Sequence, residues 1–156
     1  MKIISWNVNS VRIRIHLLKD LIQKKSPDII CLQEIKVEEF LFPKEEISKL
    51  GYNFIEISGE KSYNGVAIIS KIPIHGSSAI DILNYGHKRH ISTTIDTKVG
   101  KIDLQAKKYF QRVKNCGTVR LLPCKDHGNN TSQRLEIHKF WPHANLGSFL
   151  VGRWAR

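Results

Sequence analysis

Short apolar runs rich in isoleucine constrain the fold of this chain more than any other feature of its sequence. Six runs have the length and the β-branched composition of single strands: residues 2–8, 28–32, 52–58, 66–70, 90–95 and 101–104. Two further segments, 12–25 and 43–50, have the pattern of helices. Many short strands with only two helices predict an α/β fold, a sandwich built on a mostly antiparallel sheet.

This pattern stops abruptly near Leu104. Of the 21 isoleucines, 20 precede Leu104 and one, Ile137, follows it. The formal net charge of +11 is also unevenly spread: residues 1–104 hold 15 basic against 12 acidic residues, and residues 105–156 hold 10 against 2. A single domain rarely changes its core residues so sharply. We therefore predict a junction at 104–110, followed by a basic tail, 105–156, that is irregular or poorly ordered; a frameshift, a fusion and rapid divergence are all open explanations.

The composition narrows the class of protein. With 41% hydrophobic and 25% charged residues, the chain has the balance of a globular protein. It contains no run of roughly 18 apolar residues that would suggest a membrane span. Three cysteines fit a reducing compartment better than a disulfide framework, so we expect a cytoplasmic protein. The positive charge favours an anionic partner such as nucleic acid.

Two polar residues stand at the ends of apolar strands, Asn7 after the first run and Glu34 after the second. Adjacent strands can bring such ends within a few ångströms of each other. Hard divalent cations such as Mg²⁺ prefer oxygen ligands, commonly one or two carboxylates completed by water and phosphate. The pair is a candidate for half of a metal site, although strand-end Asn and Glu residues are more often ordinary turn or solvated residues.

The sequence motifs around Asn7 and Glu34 strengthen the interpretation of these two residues as a site. Ordered motifs run through the first 95 residues: MKIISWNVNSVR at 1–12, PDIICLQEIK at 27–36, FP at 42–43, LGYN at 50–53, KSYNGVAIISK at 61–71 and RHI at 89–91. Together they resemble the exodeoxyribonuclease III family of apurinic/apyrimidinic endonucleases, within the endonuclease/exonuclease/phosphatase superfamily. The resemblance covers residues 1–104 only, so we expect a partial domain there and no recognisable domain in 105–156.

The resemblance implies both a fold and a function. The fold would be the N-terminal half of a four-layer α/β sandwich, and the activity would be DNA repair by Mg²⁺- or Mn²⁺-dependent cleavage of duplex DNA at abasic sites and 3′ ends. By motif, Glu34 would bind the metal and Asn7 would order the metal site and the phosphate. Lys61 and Asn64 would lie in a loop near the DNA. Members of the family are expected to be monomers.

The later part of the family pattern is not found. Tyr109 stands close to the place of an active-site tyrosine, but Gln111 and Arg112 replace the turn expected after it. The motif that supplies the general base is echoed only by Asp126 and His127, which we interpret as coincidence. We therefore predict a truncated or frameshifted nuclease that is inactive as written. We also expect mainly one of the two sheets, with an uncovered inner face through which copies could self-associate.

Alternatives remain open for the tail and for the whole chain. Cys116, Cys124 and His127, with His138 or His143, could be zinc ligands, but their spacing lacks short paired knuckles. The tail could instead make the chain a non-catalytic, basic nucleic-acid-binding remnant, with phosphate contacts from its lysines and arginines and stacking by its aromatic residues. A related branch acting on small phosphoesters or lipids is the weaker enzymatic alternative.

Overall fold

The computed structural model describes residues 1–81, 84–97, 100–108, 117–123, 135–140 and 149–154. Within these ranges the chain forms ten strands and two α-helices, in the order β1 (Lys2–Asn7), α1 (Ile15–Lys25), β2 (Ile29–Gln33), α2 (Lys44–Ser48), β3 (Phe54–Ser58), β4 (Val66–Ser70), β5 (Ile74–Ser78), β6 (His90–Thr97), β7 (Gly100–Lys108), β8 (Gly117–Pro123), β9 (Leu135–Phe140) and β10 (Phe149–Trp154). A single 3₁₀ turn, Glu39–Leu41, precedes α2. Neither described helix is long and apolar enough to cross a membrane.

The first sheet has six strands in the order β3-β4-β2-β1-β10-β9. Strands β1 and β2 run parallel, with Ile3 opposite Ile29 and Asn7 opposite Gln33, and α1 forms the crossover between them. The other neighbouring pairs are antiparallel. Because parallel strands end at the same edge of a sheet, the residues that follow β1 and β2 lie side by side.

The second sheet has four antiparallel strands in the order β5-β6-β7-β8. Strands β6 and β7 form a long hairpin whose register runs from His90 opposite Lys107 to Thr97 opposite Gly100. Strand β5 pairs along the other side of β6, with an irregularity between His75 and Ser77. This sheet continues through β8 into the region that follows the predicted junction.

Two apolar cores lie on opposite faces of the first sheet. One packs α1 and α2 onto that sheet, through Leu18, Ile22 and Ile47 against strand residues such as Ile4 and Ile30. The other lies between the two sheets and joins side chains of β1, β2 and β4 to those of β6 and β7: Ile3, Ile29, Cys31, Val66, Ile68, Ile91, Ile95, Ile102, Leu104 and Ala106. A helix layer and two face-to-face sheets confirm the predicted α/β sandwich class.

The expectation of mainly one sheet with an uncovered inner face is wrong. The inner side chains of β1, β2 and β4 are buried, with Ile29, Cys31 and Ile68 fully so, because β6 and β7 pack against them. The sequence predicted β6 and β7 as strands but not that they form a separate sheet, because the pattern of a strand does not say which sheet it joins. Strand β5 was missed because it is mostly polar and exposed, so it lacks the apolar alternation by which strands are recognised. The physical reason given for self-association therefore no longer applies.

The remaining elements are close to those predicted. The six predicted strands, β1 to β4, β6 and β7, begin and end within a few residues of their predicted limits, and β7 extends past Leu104 to Lys108. The predicted irregular tail lies partly outside the described residues. Where the tail is described, its backbone forms the three strands β8, β9 and β10, which add to both sheets.

Candidate active site

The parallel pairing of β1 and β2 brings the two predicted site residues together. The Asn7 side-chain Nδ2 donates a hydrogen bond to Glu34 Oε1 over 2.8 Å. Both residues are buried, each with 8% of its surface exposed. A buried carboxylate requires a partner to remain stable in its charged form, and the amide supplies one. The geometry therefore joins Asn7 and Glu34 in one polar pair at the edge of the sheet.

Two further side chains extend this pair into a network. The Lys36 ammonium lies 3.4 Å from Glu34 Oε2, and it donates to Asn9 Oδ1 over 2.6 Å. The Asn9 backbone N–H in turn donates to Asn7 Oδ1 over 3.3 Å. We call Asn7, Asn9, Glu34 and Lys36 the strand-end cluster. It gathers one carboxylate, two amides and one cation within two short loops.

The backbone of these loops is held in an unusual conformation. Four non-glycine residues have positive φ: Asn9 at 45°, Ser10 at 83°, Glu34 at 53° and Lys36 at 51°. Such residues are strained, and they persist where the surrounding structure fixes them. Here the Ser10 N–H donates to the Glu34 carbonyl over 2.7 Å, which ties the two loops together. Strain concentrated around a buried polar pair is typical of functional sites.

A third loop, which follows β3, closes against the strand-end cluster through its backbone. The Ile35 N–H donates to the Gly65 carbonyl over 3.2 Å, and the Lys36 N–H donates to the Asn64 carbonyl over 3.0 Å. Gly65 has φ of +77°, and a Cβ added there would lie 2.6 Å from Ile35 Cγ1. Only glycine fits this position, because a side chain would be strained and would also collide with Ile35.

The same loop contains a second polar cluster, centred on Glu60. Glu60 Oε1 lies 2.9 Å from His87 Nδ1, and Oε2 accepts the Lys88 backbone N–H over 3.0 Å and the Asn64 amide over 3.4 Å. We call Glu60, Asn64, His87 and Lys88 the carboxylate bracket. Burial alone would raise the pKa of Glu60, but the bonds from Lys88, His87 and Asn64 together hold that pKa below its usual value.

An exposed aromatic residue stands on the outside of the bracket. The Tyr63 ring meets the His87 ring edge to face, with centroids 5.3 Å apart, and the Arg89 guanidinium lies 5.8 Å from the Tyr63 centroid. Tyr63 has 44% of its surface exposed. The arrangement presents an aromatic face to solvent, with a half-buried cation packed against it.

The structure places the sequence-predicted site residues as follows. Asn7 and Glu34 are brought together, and Lys61 is exposed in the loop between β3 and β4. Asn64 belongs to the same loop but is 1% exposed, and its side chain points into the carboxylate bracket. Tyr109 lies outside the described residues. So do Cys116, Cys124, Asp126, His127 and His143.

Sequence reasoning missed four residues of this region: Lys36, Glu60, His87 and Arg89. A signal existed for Lys36, which stands two residues after Glu34 in the same motif. None existed for the pairing of Glu60 with His87, because 27 residues separate them and no pattern of residue types links the two segments.

The donor set fits part of a hard-cation site. Glu34 offers a carboxylate and Asn7 an amide oxygen, the ligand types that Mg²⁺ accepts beside water and phosphate. In the part of the chain that the structure describes, no group of three His, Cys, Asp or Glu side chains gathers at one point. The described residues can therefore supply one or two ligands, with solvent or substrate completing the shell.

Comparison with known families identifies the class of this protein. The profile of the Endonuclease/Exonuclease/phosphatase family matches residues 4–147, so the chain belongs to that family. The match continues well beyond Leu104. It does not test the predicted division of the chain at that residue, which stays a prediction.

Individual relatives confirm the resemblance to exodeoxyribonuclease III and the AP endonucleases. Exodeoxyribonuclease III of Haemophilus influenzae is 46% identical over 71 residues, which cover 46% of this chain and 26% of that protein. The DNA-(apurinic or apyrimidinic site) endonuclease 2 of Xenopus laevis is 41% identical over 73 residues, covering 46% of this chain and 14% of that protein. The chain thus aligns with about a quarter or less of these curated relatives.

Solved structures give the same answer for the fold. An AP endonuclease from Archaeoglobus fulgidus is 38% identical with a TM-score of 0.56, over 61% of this chain and 37% of that one. A 3′ phosphatase from Neisseria, solved with a product DNA hairpin, is 34% identical with the same TM-score, over 61% of this chain and 37% of that one. The fold of this chain is therefore similar to part of the fold of these two proteins.

Proposed function

We propose that this chain belongs to a DNA-repair nuclease that hydrolyses phosphodiester bonds at abasic sites and 3′ ends. The observation that carries the proposal is the buried Asn7–Glu34 pair, held by strained loops at the ends of two parallel strands. The pair lies within the motifs that align with exodeoxyribonuclease III. Duplex DNA as substrate is supported by the relatives named AP endonuclease and by the neighbour solved with a DNA hairpin.

The strand-end cluster would hold Mg²⁺ or Mn²⁺ through Glu34, with Asn7 ordering the site. When bound, such a metal stabilises the negative charge that develops on the phosphoryl oxygens. Asn7 fixes the Glu34 carboxylate by donating to Oε1, so the carboxylate is oriented before substrate arrives. Lys36 adds a positive charge close to the same carboxylate, where it can attract a phosphate group.

The loop beside this cluster would contact the DNA. Lys61 is exposed and can bind a phosphate, as can Arg89. Tyr63 offers an aromatic face on which a sugar or an unstacked base can pack. In this proposal the backbone of the substrate crosses the edge of the first sheet, with its scissile phosphate at Glu34.

We expect this chain to hydrolyse phosphodiester bonds slowly. Phosphodiester cleavage also needs a general base and groups that orient the attacking water, and losing such groups typically costs orders of magnitude in rate. The sequence echoes the family's base motif only at Asp126 and His127 and its active-site tyrosine only at Tyr109. We therefore expect metal-dependent DNA binding, with cleavage weak or absent. A monomeric state and a cytoplasmic location remain part of the proposal.

The test uses duplex DNA with a single abasic site, incubated with the full chain in Mg²⁺ or in EDTA. Glu34→Ala is the test variant, and Glu56→Ala is the matched control because Glu56 is a half-buried carboxylate on β3 that accepts a hydrogen bond from the Ser77 hydroxyl, away from the strand-end cluster. Metal-dependent binding or cleavage that needs Glu34 but not Glu56 supports the proposal. Binding that ignores Mg²⁺, Glu34 and the abasic site would replace it with a non-catalytic, basic nucleic-acid-binding protein.

A further inference from the structure

The carboxylate bracket connects two segments of the chain that no strand pairing joins at this point. Glu60 lies in the loop between β3 and β4, and His87 and Lys88 lie just before β6, in the other sheet. One carboxylate holds both, through His87 Nδ1 at 2.9 Å and the Lys88 N–H at 3.0 Å. A backbone bond from the Gly65 N–H to the Lys88 carbonyl, 2.9 Å long, runs beside them.

The bracket also reaches the strand-end cluster. Its Asn64 amide donates to Glu60, while the Asn64 carbonyl accepts the Lys36 N–H over 3.0 Å. Asn64 therefore links Glu60, through hydrogen bonds, to the loop that contains Glu34 and Lys36. The Glu60 carboxylate thus contacts Asn64 in its own loop and also His87 and Lys88 in the segment before β6.

The bracket supports Tyr63, whose ring faces solvent, and Arg89, which is half-buried with its Nε and Nη1 shielded from solvent. Tyr63 follows Glu60 by three residues and packs against His87, and Arg89 follows Lys88 and lies over the Tyr63 ring. The Arg89 Nη2 also donates to the Tyr63 hydroxyl over 3.5 Å. The position of this aromatic–cation pair thus depends on two segments that Glu60 joins.

We propose that Glu60 is a positioning residue, whose carboxylate sets Tyr63 and Arg89 at a fixed distance from Glu34 for contact with the DNA backbone. This inference rests on the proposed function, because DNA is the ligand that the pair would contact. Glu60 itself does not touch the substrate. It acts by joining the loop before β4 to the segment before β6.

The sign of the expected effect separates positioning from simple electrostatics. A carboxylate repels a polyanion, so removing one should strengthen DNA binding if charge alone matters. Removing a residue that positions two contacts should weaken binding instead. Glu56→Ala removes the same charge from the neighbouring strand β3, together with one hydrogen bond from Ser77, and so shows the effect of losing a carboxylate outside the bracket.

The experiment measures the dissociation constant for a fluorescently labelled abasic duplex in the presence of Mg²⁺, at one fixed salt concentration, using fluorescence anisotropy and the full chain. We expect Glu60→Ala to weaken binding about fivefold and Tyr63→Ala about tenfold, since stacking on an aromatic ring contributes a comparable factor. Glu56→Ala should bind as tightly as the wild type or slightly tighter. Adding Glu60→Ala to Tyr63→Ala should cause little further loss, because Glu60 acts through Tyr63 and through Arg89, which itself packs on the Tyr63 ring.

Hydrogen exchange provides a second readout, which does not depend on DNA. The Lys88 and Gly65 amides should exchange faster in Glu60→Ala than in the wild type, while the Ile35 amide should change less. Glu60→Gln keeps the side-chain volume and one acceptor oxygen, so it should show a smaller effect of the same kind. It replaces the alanine variant if the latter does not fold.

The outcomes distinguish this inference from the proposed function. If the wild type binds the duplex and Glu60→Ala binds equally well or tighter, Glu60 is not a positioning residue, while the proposed function stands. Fully additive losses for Glu60→Ala and Tyr63→Ala would overturn the inference in the same way. If the wild type binds no DNA, the proposed function itself fails and the inference falls with it.

Discussion

The strand-end cluster and the carboxylate bracket lie at the same edge of the molecule but are built differently. Asn7 and Glu34 follow two strands that pair along five residues, so the sheet fixes their separation. Glu60 and His87 sit in loops of different sheets, and a side-chain bond holds them together. The paired backbones of β1 and β2 position Asn7 and Glu34, whereas the Glu60 side chain positions the backbone of the segment before β6. The first arrangement is rigid without its side chains, and the second is not.

The largest expected effect tests whether metal binding is confined to the strand-end cluster. Titration of the chain with Mn²⁺, followed by calorimetry, should show a site that Glu34→Ala weakens at least about a hundredfold, because that variant removes the one carboxylate ligand. Glu60→Ala should lower the same affinity less than about threefold, since the sheet still holds Asn7 and Glu34 in place. Equal losses in the two variants would show that the two clusters form a single site.

Gly65 tests how tightly the third loop is closed against the first cluster. Gly65→Ala adds a Cβ at φ of +77° and 2.6 Å from Ile35 Cγ1, so we expect a loss of about 3 kcal/mol in the free energy of unfolding. Gly51→Ala is the matched control, because Gly51 has φ of +88° with nothing within 4 Å of the added atom. It should lose about 1 kcal/mol, from backbone strain alone. Urea denaturation measures both, and equal losses would mean that the loop yields to the added atom.

A smaller expected effect is the pH dependence of stability that comes from His90, the first residue of β6, which follows His87 and Lys88 in the chain. Burial, and then the charge of Lys107, lower the pKa of His90. The unfolded chain therefore takes up a proton at a higher pH than the folded protein does. Stability from this residue is complete above about pH 6.5 and falls as the pH drops below that value. Thermal melting between neutral and mildly acid pH should show a slope that His90→Gln reduces, and an unchanged slope would contradict this.

The smallest expected effect is on the pH dependence of stability that comes from Glu60, in a more acid range than that of His90. Its lowered pKa means that the folded protein releases this proton more readily than the unfolded chain. The bracket therefore contributes stability above the ordinary glutamate pKa of about 4.3, and loses that contribution as the pH falls through the lower folded value. The difference in melting temperature between the wild type and Glu60→Gln should shrink in this acid range. A difference that stays constant would mean that the Glu60 charge does not hold the bracket.

The sequence revealed the strand-end cluster because its signals are local. Asn7 and Glu34 each end an apolar run, and both stand in motifs that can be read without knowing the fold. The bracket gave no such signal, since Glu60 and His87 meet only after two sheets have packed. Strand β5 was missed for a related reason: its residues are mostly polar and exposed, so pairing with β6 and not burial makes it a strand.

The tail shows the same limit of local patterns. Its composition differs from that of the first 104 residues, and this difference predicted irregular structure. Yet β10 pairs with β1, and β8 pairs with β7. A strand can join an existing sheet through backbone hydrogen bonds alone, and any residue except proline can donate such a bond. Apolar periodicity is therefore not needed to extend a sheet by one strand. The Asn7–Glu34 site is therefore better predicted from sequence than the sheet that surrounds it.

The pairing of β1 with β10 has a consequence for how the chain is made. Strand β1 leaves the ribosome well before its antiparallel partner Phe149–Trp154, because most of this chain lies between the two strands. At roughly 5–20 residues per second, β1 waits on the order of ten seconds with one edge unpaired. Such an edge is a template for pairing with other chains during that interval. Slower elongation between these two strands should therefore lower the yield of soluble protein, unless a chaperone covers β1 until β10 has been synthesised.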